Sequence, residues 1–338
     1  MNGYLQRFLK DNVDPELWTD WRWQLKNVFG MEELKAYIPI DFPPDCSQVD
    51  GAFAVKITPY YIDLLAKEAF KGPLSRMVLP DPYELIGEGF SRDPFGEEGC
   101  ASCCHAVKQR FPDRVLIMCS RLCAVNCRHC TRKGLLNSAE IIGCEIDIKR
   151  ALAFVRSRPQ VREVLLSGGD PLLLSDQRIF DLVAAFAEMP QIDAVRIGSR
   201  VLTTLPSRIT SKLAMGLGET RKLWINTQFN HVSEITSEAE RACRLLADVG
   251  IPLSNQSVLL RGINDSTDAM FDLCTSLQRN RVRPYYVFSC DPVAGISHFR
   301  VFKERAIQIE NELAVRVGGL ALPRFVEDLP GEKRKMPL

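Results

Sequence analysis

The chain has no excess of charge of either sign, with 43 lysines and arginines against 42 aspartates and glutamates in 338 residues. This balance gives no electrostatic reason to expect nucleic acid or an anionic membrane as a partner. It also lacks any apolar run of roughly 18 residues, about the length a membrane-crossing helix requires. The opening Met-Asn-Gly-Tyr-Leu-Gln-Arg-Phe-Leu-Lys is too polar for a secretory leader. A cytoplasmic protein acting on small molecules is expected. In a reducing compartment twelve cysteines do not become disulfides, which raises the expectation that some bind metal. A hydrophobic content of 46% is that of a soluble globular chain, long enough for one large α/β domain with additions or for two ordinary domains.

Cys123, Cys127 and Cys130 stand in the run Cys-Ala-Val-Asn-Cys-Arg-His-Cys, directly after the apolar stretch Val115 to Met118. Three thiolates can hold three irons of a 4Fe-4S cluster, whereas a cluster that only carries electrons takes four cysteines. The compact trio therefore suggests a fourth iron left open for another ligand, and with it chemistry. Zinc is the rival. It would want a fourth donor such as His129, but a histidine next to a ligating cysteine is poorly placed for the same tetrahedral ion. No second C-x2-C pair with zinc-knuckle spacing follows. Cys100, Cys103 and Cys104 form another clump in a glycine-rich, acidic loop. A further cluster, a metal site and plain surface thiols all fit there. Plain thiols are favoured, because adjacent cysteines rarely ligate one ion with good geometry. Exposed iron–sulfur chemistry is oxygen-sensitive, so an anaerobe or a protected site is expected.

Along the chain, 1–100 reads as a helical N-terminal region, 101–320 as the α/β core and 321–338 as a short C-terminal segment. Leu17, Trp18, Trp21, Leu25 and Val28 recur at helical spacing behind Asp14 and Pro15, and a second helix follows Thr58 and Pro59 with Ile62, Leu64 and Leu65. The proline-rich stretch Ile40 to Pro44 connects them. From Val115 onward short apolar runs alternate with amphipathic stretches. Strands are expected at Val115 to Met118, Val164 to Ser167, Ala194 to Gly198, Leu223 to Gln228, Leu253 to Leu260 and Pro284 to Ser289. Helices are expected at Ile148 to Val155, Arg178 to Phe186, Ile209 to Met215, Glu238 to Val249, Ala269 to Leu277 and Lys303 to Val315. Six β/α units in series imply a parallel sheet with right-handed crossovers, curved into a partial (β/α)6 TIM-like barrel.

Functional groups of such a sheet gather at the carboxyl ends of its strands. The unusual residues here do follow the strands: the cysteine trio, Ser167-Gly168-Gly169-Asp170, Ser199-Arg200, the run Asn226 to His231, Asn255-Gln256-Ser257 and Cys290-Asp291. Gly168 and Gly169 remove side chains where backbone must approach a ligand, and Asp170 adds an acceptor. Beside an open iron they are a candidate cradle for the amino group of S-adenosylmethionine.

These segments together resemble the radical S-adenosylmethionine aminomutases, and most closely the lysine 2,3-aminomutases. The matching stretches are Arg110-Phe-Pro-Asp-Arg114-Val, Cys127-Arg-His-Cys-Thr-Arg132, Leu166-Ser-Gly-Gly-Asp-Pro171, Arg196-Ile-Gly-Ser-Arg200, Asn255-Gln-Ser-Val-Leu-Leu260, Pro284-Tyr-Tyr and His298-Phe-Arg300. The resemblance implies a second cofactor, pyridoxal 5′-phosphate, in Schiff-base linkage to a lysine near the C-terminus. The run Asp328-Leu-Pro-Gly-Glu-Lys-Arg-Lys335-Met-Pro aligns Lys335 with that lysine. Glycines of the family pattern are replaced by Glu332, Lys333 and Arg334, which makes Lys333 a rival. Arg110 and Arg114 match positions near the cofactor phosphate, and guanidinium forks suit phosphate. Ser199, Arg200, Gln228 and Gln256 complete the cofactor-binding set, with Gln228 standing where relatives have histidine. Arg132 matches the arginine that grips the substrate carboxylate, and Asp291 and Asp328 match two aspartates that receive the distal ammonium of lysine. The chain stops three residues after Lys335, so the zinc-binding segment of longer relatives is not carried over.

The implied activity moves the 2-amino group of L-lysine to carbon 3. A flavodoxin- or ferredoxin-type reductant and a homo-oligomer are expected with it. The alternatives are an aminomutase for another amino acid, and the short relative that makes β-lysine for elongation factor P, which shares the Cys-Ala-Val-Asn-Cys run. A non-catalytic iron–sulfur electron carrier or sensor leaves Lys335 and the arginines unexplained.

Overall fold

The computed structural model describes residues 3–86, 91, 93–104, 106–136 and 148–338. Among the described residues nine strands form one sheet in the order of the sequence: β1 (Val107–Phe111), β2 (Arg114–Ser120), β3 (Glu163–Gly168), β4 (Ala194–Ser199), β5 (Leu223–Thr227), β6 (Leu253–Leu259), β7 (Val282–Ser289), β8 (Arg324–Glu327) and β9 (Met336–Pro337). β2 to β8 run parallel. β1 and β9 pair antiparallel with β2 and β8, one at each edge. The six expected strands are all present. The parallel run then continues into β8, and both edge strands are additions to the expectation.

Strand periodicity divides the side chains between two environments. Val115, Ile117, Val164, Leu166, Val195, Ile197, Leu223 and Ile225 are buried in one hydrophobic core. There they meet residues such as Ile179, Val183 and Leu213 from the surrounding helices. The alternate residues Leu116, Leu165, Arg196 and Asn226 line the barrel cavity. The covering helices are Ile148–Arg156, Asp176–Ala187, Ser211–Gly218, Ser237–Asp248, Thr267–Arg279 and Lys303–Ala314. Four of them start at a hydroxyl cap, with Ser175, Thr210, Thr236 and Ser266 accepting from amides in the first turn. Among the described residues no helix is long and apolar enough to cross a membrane.

The N-terminal region is a set of short helices with its own core, in which Leu5, Phe29, Leu34, Ile57, Tyr61 and Met77 pack with Val125, Val258, Leu260 and Phe299. It therefore sits over the cysteine segment and the carboxyl ends of β6 and β7. The helix expected behind Asp14 divides into Pro15–Thr19 and Trp21–Lys26, because the Asp20 carboxylate caps the second by accepting from the Arg22 amide at 2.8 Å. Leu17 is consequently exposed, while Trp18 is buried. Thr58 caps the helix Pro59–Lys67 as its sequence implies.

Candidate active site

A cavity of about 390 Å³ opens at the carboxyl ends of the strands. It is lined by all the site residues expected from the sequence: Cys123, Cys127, Cys130, Ser167, Gly168, Gly169, Asp170, Ser199, Arg200, Gln228, Gln256, Arg110, Arg114, Arg132, Asp291, Asp328 and Lys335. Lysine and arginine side chains on the wall number seven and aspartates and glutamates four, a surplus that favours anionic ligands.

The cysteine segment is held to β3 by backbone. Gly169 and Asp170 donate their amides to the carbonyls of Ser120 and Leu122, both at 2.6 Å. A Cβ on Gly168 would lie 2.3 Å from the Ser120 carbonyl, and one on Gly169 would lie 2.5 Å from that of Leu122. Gly168 also has φ of +117°, a region that L side chains rarely adopt. These glycines therefore fix the start of the cysteine segment against β3. The Asp170 carboxylate is buried and accepts from Ser199 Oγ at 2.8 Å, from the Arg200 amide at 2.8 Å and from the Leu172 amide at 3.1 Å. Burial pushes its pKa up to about 6 against those hydrogen bonds. Asp170 thus sets the direction of the chain after β4.

Arg200 is a junction. Its guanidinium donates to Cys127 Sγ and pairs with Glu234, while its Nε donates to the Gln228 carbonyl at 3.2 Å. Glu234 is fixed by Tyr61 Oη at 3.1 Å and the Asn230 amide at 2.6 Å, so the N-terminal region reaches Cys127 through this chain.

The donor set suits an iron–sulfur cluster. Burial, then the neighbouring thiols, push Cys123 well above its ordinary value and Cys130 up to about 11. Thiols crowded and dehydrated in this way ionise together only around a cationic centre. Among the described residues no three His, Cys, Asp or Glu side chains converge as a single ion would require. The wall also presents buried polar atoms without a protein partner, namely His129 Nδ1, Arg196 Nε, Asn226 Nδ2 and Thr227 Oγ1. Orphaned groups of this kind are costly unless a polar ligand satisfies them.

Across the cavity Asp328 pairs with Arg110 at 2.9 Å and with Lys335. The Lys335 ammonium also lies 5.6 Å from the centre of the Phe111 ring and 5.1 Å from that of Phe288. Burial, then the positive charge of Arg110, bring Lys335 down to about 8. Burial raises Asp291 to about 7. Lys333 and Arg334 are exposed. Arg114 stacks over Phe111 at 4.5 Å, and Arg110 over Phe95 at 5.0 Å. Arg132 is held by Glu97.

Several lining residues carry no local sequence signal, among them Glu97, whose partner is 35 positions away. Tyr285, Tyr286 and Phe288 supply an aromatic wall. Outside it, the clump Cys100, Cys103 and Cys104 consists of free thiols, with Cys103 and Cys104 Sγ 4.0 Å apart.

With a cysteine trio at the mouth of a partial barrel, the protein is of the radical S-adenosylmethionine class. No family model matches the chain. An L-lysine 2,3-aminomutase of Clostridium subterminale is 40% identical to it over 332 residues, covering 97% of this chain and 80% of that protein. An L-lysine 2,3-aminomutase of Escherichia coli strain K12 is 34% identical and covers 94% of each. A glutamate 2,3-aminomutase of Clostridioides difficile strain 630 is 34% identical, covering 97% of this chain and 78% of that protein. Among solved structures, a radical SAM methyltransferase from Sphaerobacter thermophilus superposes with a TM-score of 0.48 at 16% identity, over 65% of this chain and 68% of its own. The chain belongs to the lysine 2,3-aminomutase family. The family's members are isomerases that use a 4Fe-4S cluster, S-adenosylmethionine and pyridoxal 5′-phosphate.

Proposed function

We propose that this chain moves the 2-amino group of L-lysine to carbon 3, giving β-lysine. The observation that carries the reading is the cavity's polarity, with Arg132 on its wall and two acids, Asp291 and Asp328, beside Lys335. A guanidinium for the α-carboxylate and two carboxylates for a distal ammonium suit a basic amino acid. Glutamate, named for the Clostridioides difficile relative, would set its own carboxylate against those acids.

When bound, the cluster with S-adenosylmethionine supplies a carbon-centred radical, and pyridoxal 5′-phosphate supplies a conjugated ring that carries the migrating nitrogen. Cys123, Cys127 and Cys130 would hold the cluster. Gly168, Gly169, Asp170, Ser199, Arg200, Gln228 and Gln256 would shape the S-adenosylmethionine site, and Arg110 and Arg114 would take the phosphate. Lys335 would hold the aldehyde covalently. Its pKa of about 8 leaves a useful fraction of neutral amine, the form that attacks a carbonyl. Arg132 would orient the amino acid by its carboxylate, and Asp291, kept near neutrality by burial, would regain its charge beside an arriving ammonium. Phe95, Phe111, Tyr285, Tyr286 and Phe288 would keep water from the reacting carbon atoms. A flavodoxin- or ferredoxin-type protein would supply the electron to a cytoplasmic homo-oligomer.

The test is anaerobic. The reconstituted protein is given both cofactors, dithionite and either L-lysine, L-glutamate or L-alanine, and β-amino products are measured. Product from lysine alone is expected, and product from another amino acid without any from lysine sinks the substrate claim. Borohydride reduction followed by peptide mapping should label Lys335, and a label on Lys333 overturns that assignment.

A further inference from the structure

Arg132 does not wait empty in the cavity. Its Nη1 and Nη2 donate to the two carboxylate oxygens of Glu97 at 2.8 and 3.0 Å. Both side chains are nearly buried, 12% and 7% exposed, and both line the cavity. Glu97 is presented by the short turn Glu97–Gly99, anchored where its own amide donates to the Asp93 carboxylate at 2.9 Å. One edge of a guanidinium accommodates one bidentate carboxylate, and an α-amino acid offers the same group. The arrangement is that of a receptor already holding a copy of its ligand's end.

We propose that Glu97 is an internal stand-in for the substrate carboxylate, holding the Arg132 fork in the ligand-free protein and yielding it when an amino acid binds. The proposal rests on the reading of Arg132 as the carboxylate receptor. Two consequences follow from charge. Without Glu97 a buried guanidinium would stand unpaired and take up any small anion. With it, only a ligand that gains contacts elsewhere in the cavity displaces an intramolecular partner, so Glu97 raises the threshold for weak carboxylates. A displaced Glu97 has a second cation nearby, since Glu97 is the charged group that acts most strongly on Arg110.

The substitution Glu97→Gln keeps the shape and removes the competing charge. Binding is measured by equilibrium dialysis on protein carrying cluster and pyridoxal phosphate but no S-adenosylmethionine, so that nothing turns over. The ligands are L-lysine and 1,5-diaminopentane, which lacks the carboxylate. E97Q should bind lysine roughly five-fold or more tightly than the unaltered protein, with diaminopentane changed less than about two-fold. Equal or weaker lysine binding overturns the proposal, as does a parallel change for both ligands, which marks a general disturbance. Arg132→Ala separates the two layers of the argument. If it leaves lysine affinity intact, the receptor reading fails. If it abolishes lysine binding while E97Q brings no gain, only the stand-in fails. A measurement on the unaltered protein guards against a variant that does not fold. The Cys100 amide donates to the Glu97 carbonyl at 3.2 Å, so lysine, but not diaminopentane, should change the rate at which iodoacetamide alkylates Cys100. An unchanged rate is a failure of the proposal.

Discussion

Replacing Glu84 tests how the cysteine segment is held. Its carboxylate is buried, 2% exposed, and accepts from Arg128 Nε at 2.9 Å and Nη2 at 2.7 Å and from Lys133. Arg128, fully buried, lies between Cys127 and Cys130, and its other contacts run to the N-terminal region. Its amide donates to the Met77 carbonyl at 2.8 Å and its Nη1 to the Phe53 carbonyl at 2.8 Å. Burial alone would raise the pKa of Glu84, but its bonds to Arg128 and the charges of Arg128 and Lys133 outweigh it and leave it lowered. Glu84→Ala would strand two buried cations, a change that costs about 3–5 kcal/mol. Lys133 keeps the Gly295 carbonyl at 3.2 Å, which places the loss toward the lower figure. Glu84→Gln keeps one acceptor oxygen and should cost about 2 kcal/mol. The assays are urea unfolding of the metal-free protein and iron and sulfide per chain after anaerobic reconstitution. Both variants should lose stability in that order and incorporate less iron, because the displaced segment carries two of the three thiols. An E84Q protein within about 0.5 kcal/mol of the unaltered one, with full iron, refutes the reasoning.

Capture of pyridoxal phosphate by the apoprotein should accelerate with pH around a midpoint of about 8, since only the neutral amine of Lys335 adds to the aldehyde. Arg110→Gln, which removes a charge that lowers this pKa, should move the midpoint upward; an absorbance titration with a midpoint above about 10 contradicts the assignment. Lysine affinity should weaken as pH falls through about 7, where Asp291 takes up a proton and loses the charge that attracts an ammonium. Asp291→Asn should flatten that profile and lower kcat/KM for lysine by roughly 30-fold or more, and a profile unchanged by the substitution argues against the role. In Gly169→Ala the new Cβ meets backbone, the Leu122 carbonyl at 2.5 Å, so reconstitution should yield less cluster iron. Gly51→Ala, with nothing within 4 Å, is the control and should retain full iron.

What the sequence revealed and what it hid differ in physical kind. β2 and β3 were legible as short apolar runs, Val-Leu-Ile-Met and Val-Leu-Leu, while β4 to β6 interleave apolar residues with Arg196, Asn226 and Gln256, which line the cavity. β1 reads Val-Lys-Gln-Arg-Phe, while β8 and β9 have four and two residues, too short for any period to register. Yet these edges carry or flank Arg110, Asp328 and Lys335, which were reached through resemblance and not through pattern. The pairs Glu97–Arg132 and Glu84–Arg128 join residues 35 and 44 positions apart, and charge pairing at that range leaves no local trace. Asp20 illustrates the reverse case, in which a small acceptor visible in the sequence interrupts a helix that apolar spacing alone would have continued.

The hidden edges also explain why the site lies where it does. Strand pairing runs in sequence order from β1 to β9, with those two at the ends of the order. Among the described residues β1 and β9 are not neighbours in the sheet, so side chains make the link between its ends. Here side chains span from β1 to the segment after β8: Arg110 to Asp328 at 2.9 Å, with Lys335 beside Asp328 and above the Phe111 ring. Ion pairs of this sort are exchangeable, since a phosphate can replace one partner and an ammonium the other without leaving a buried charge alone. The side chains that join the ends of the sheet are therefore the same ones that face the cavity. Their short strands serve less to extend the sheet than to deliver two cations and one acid to a single point on its wall.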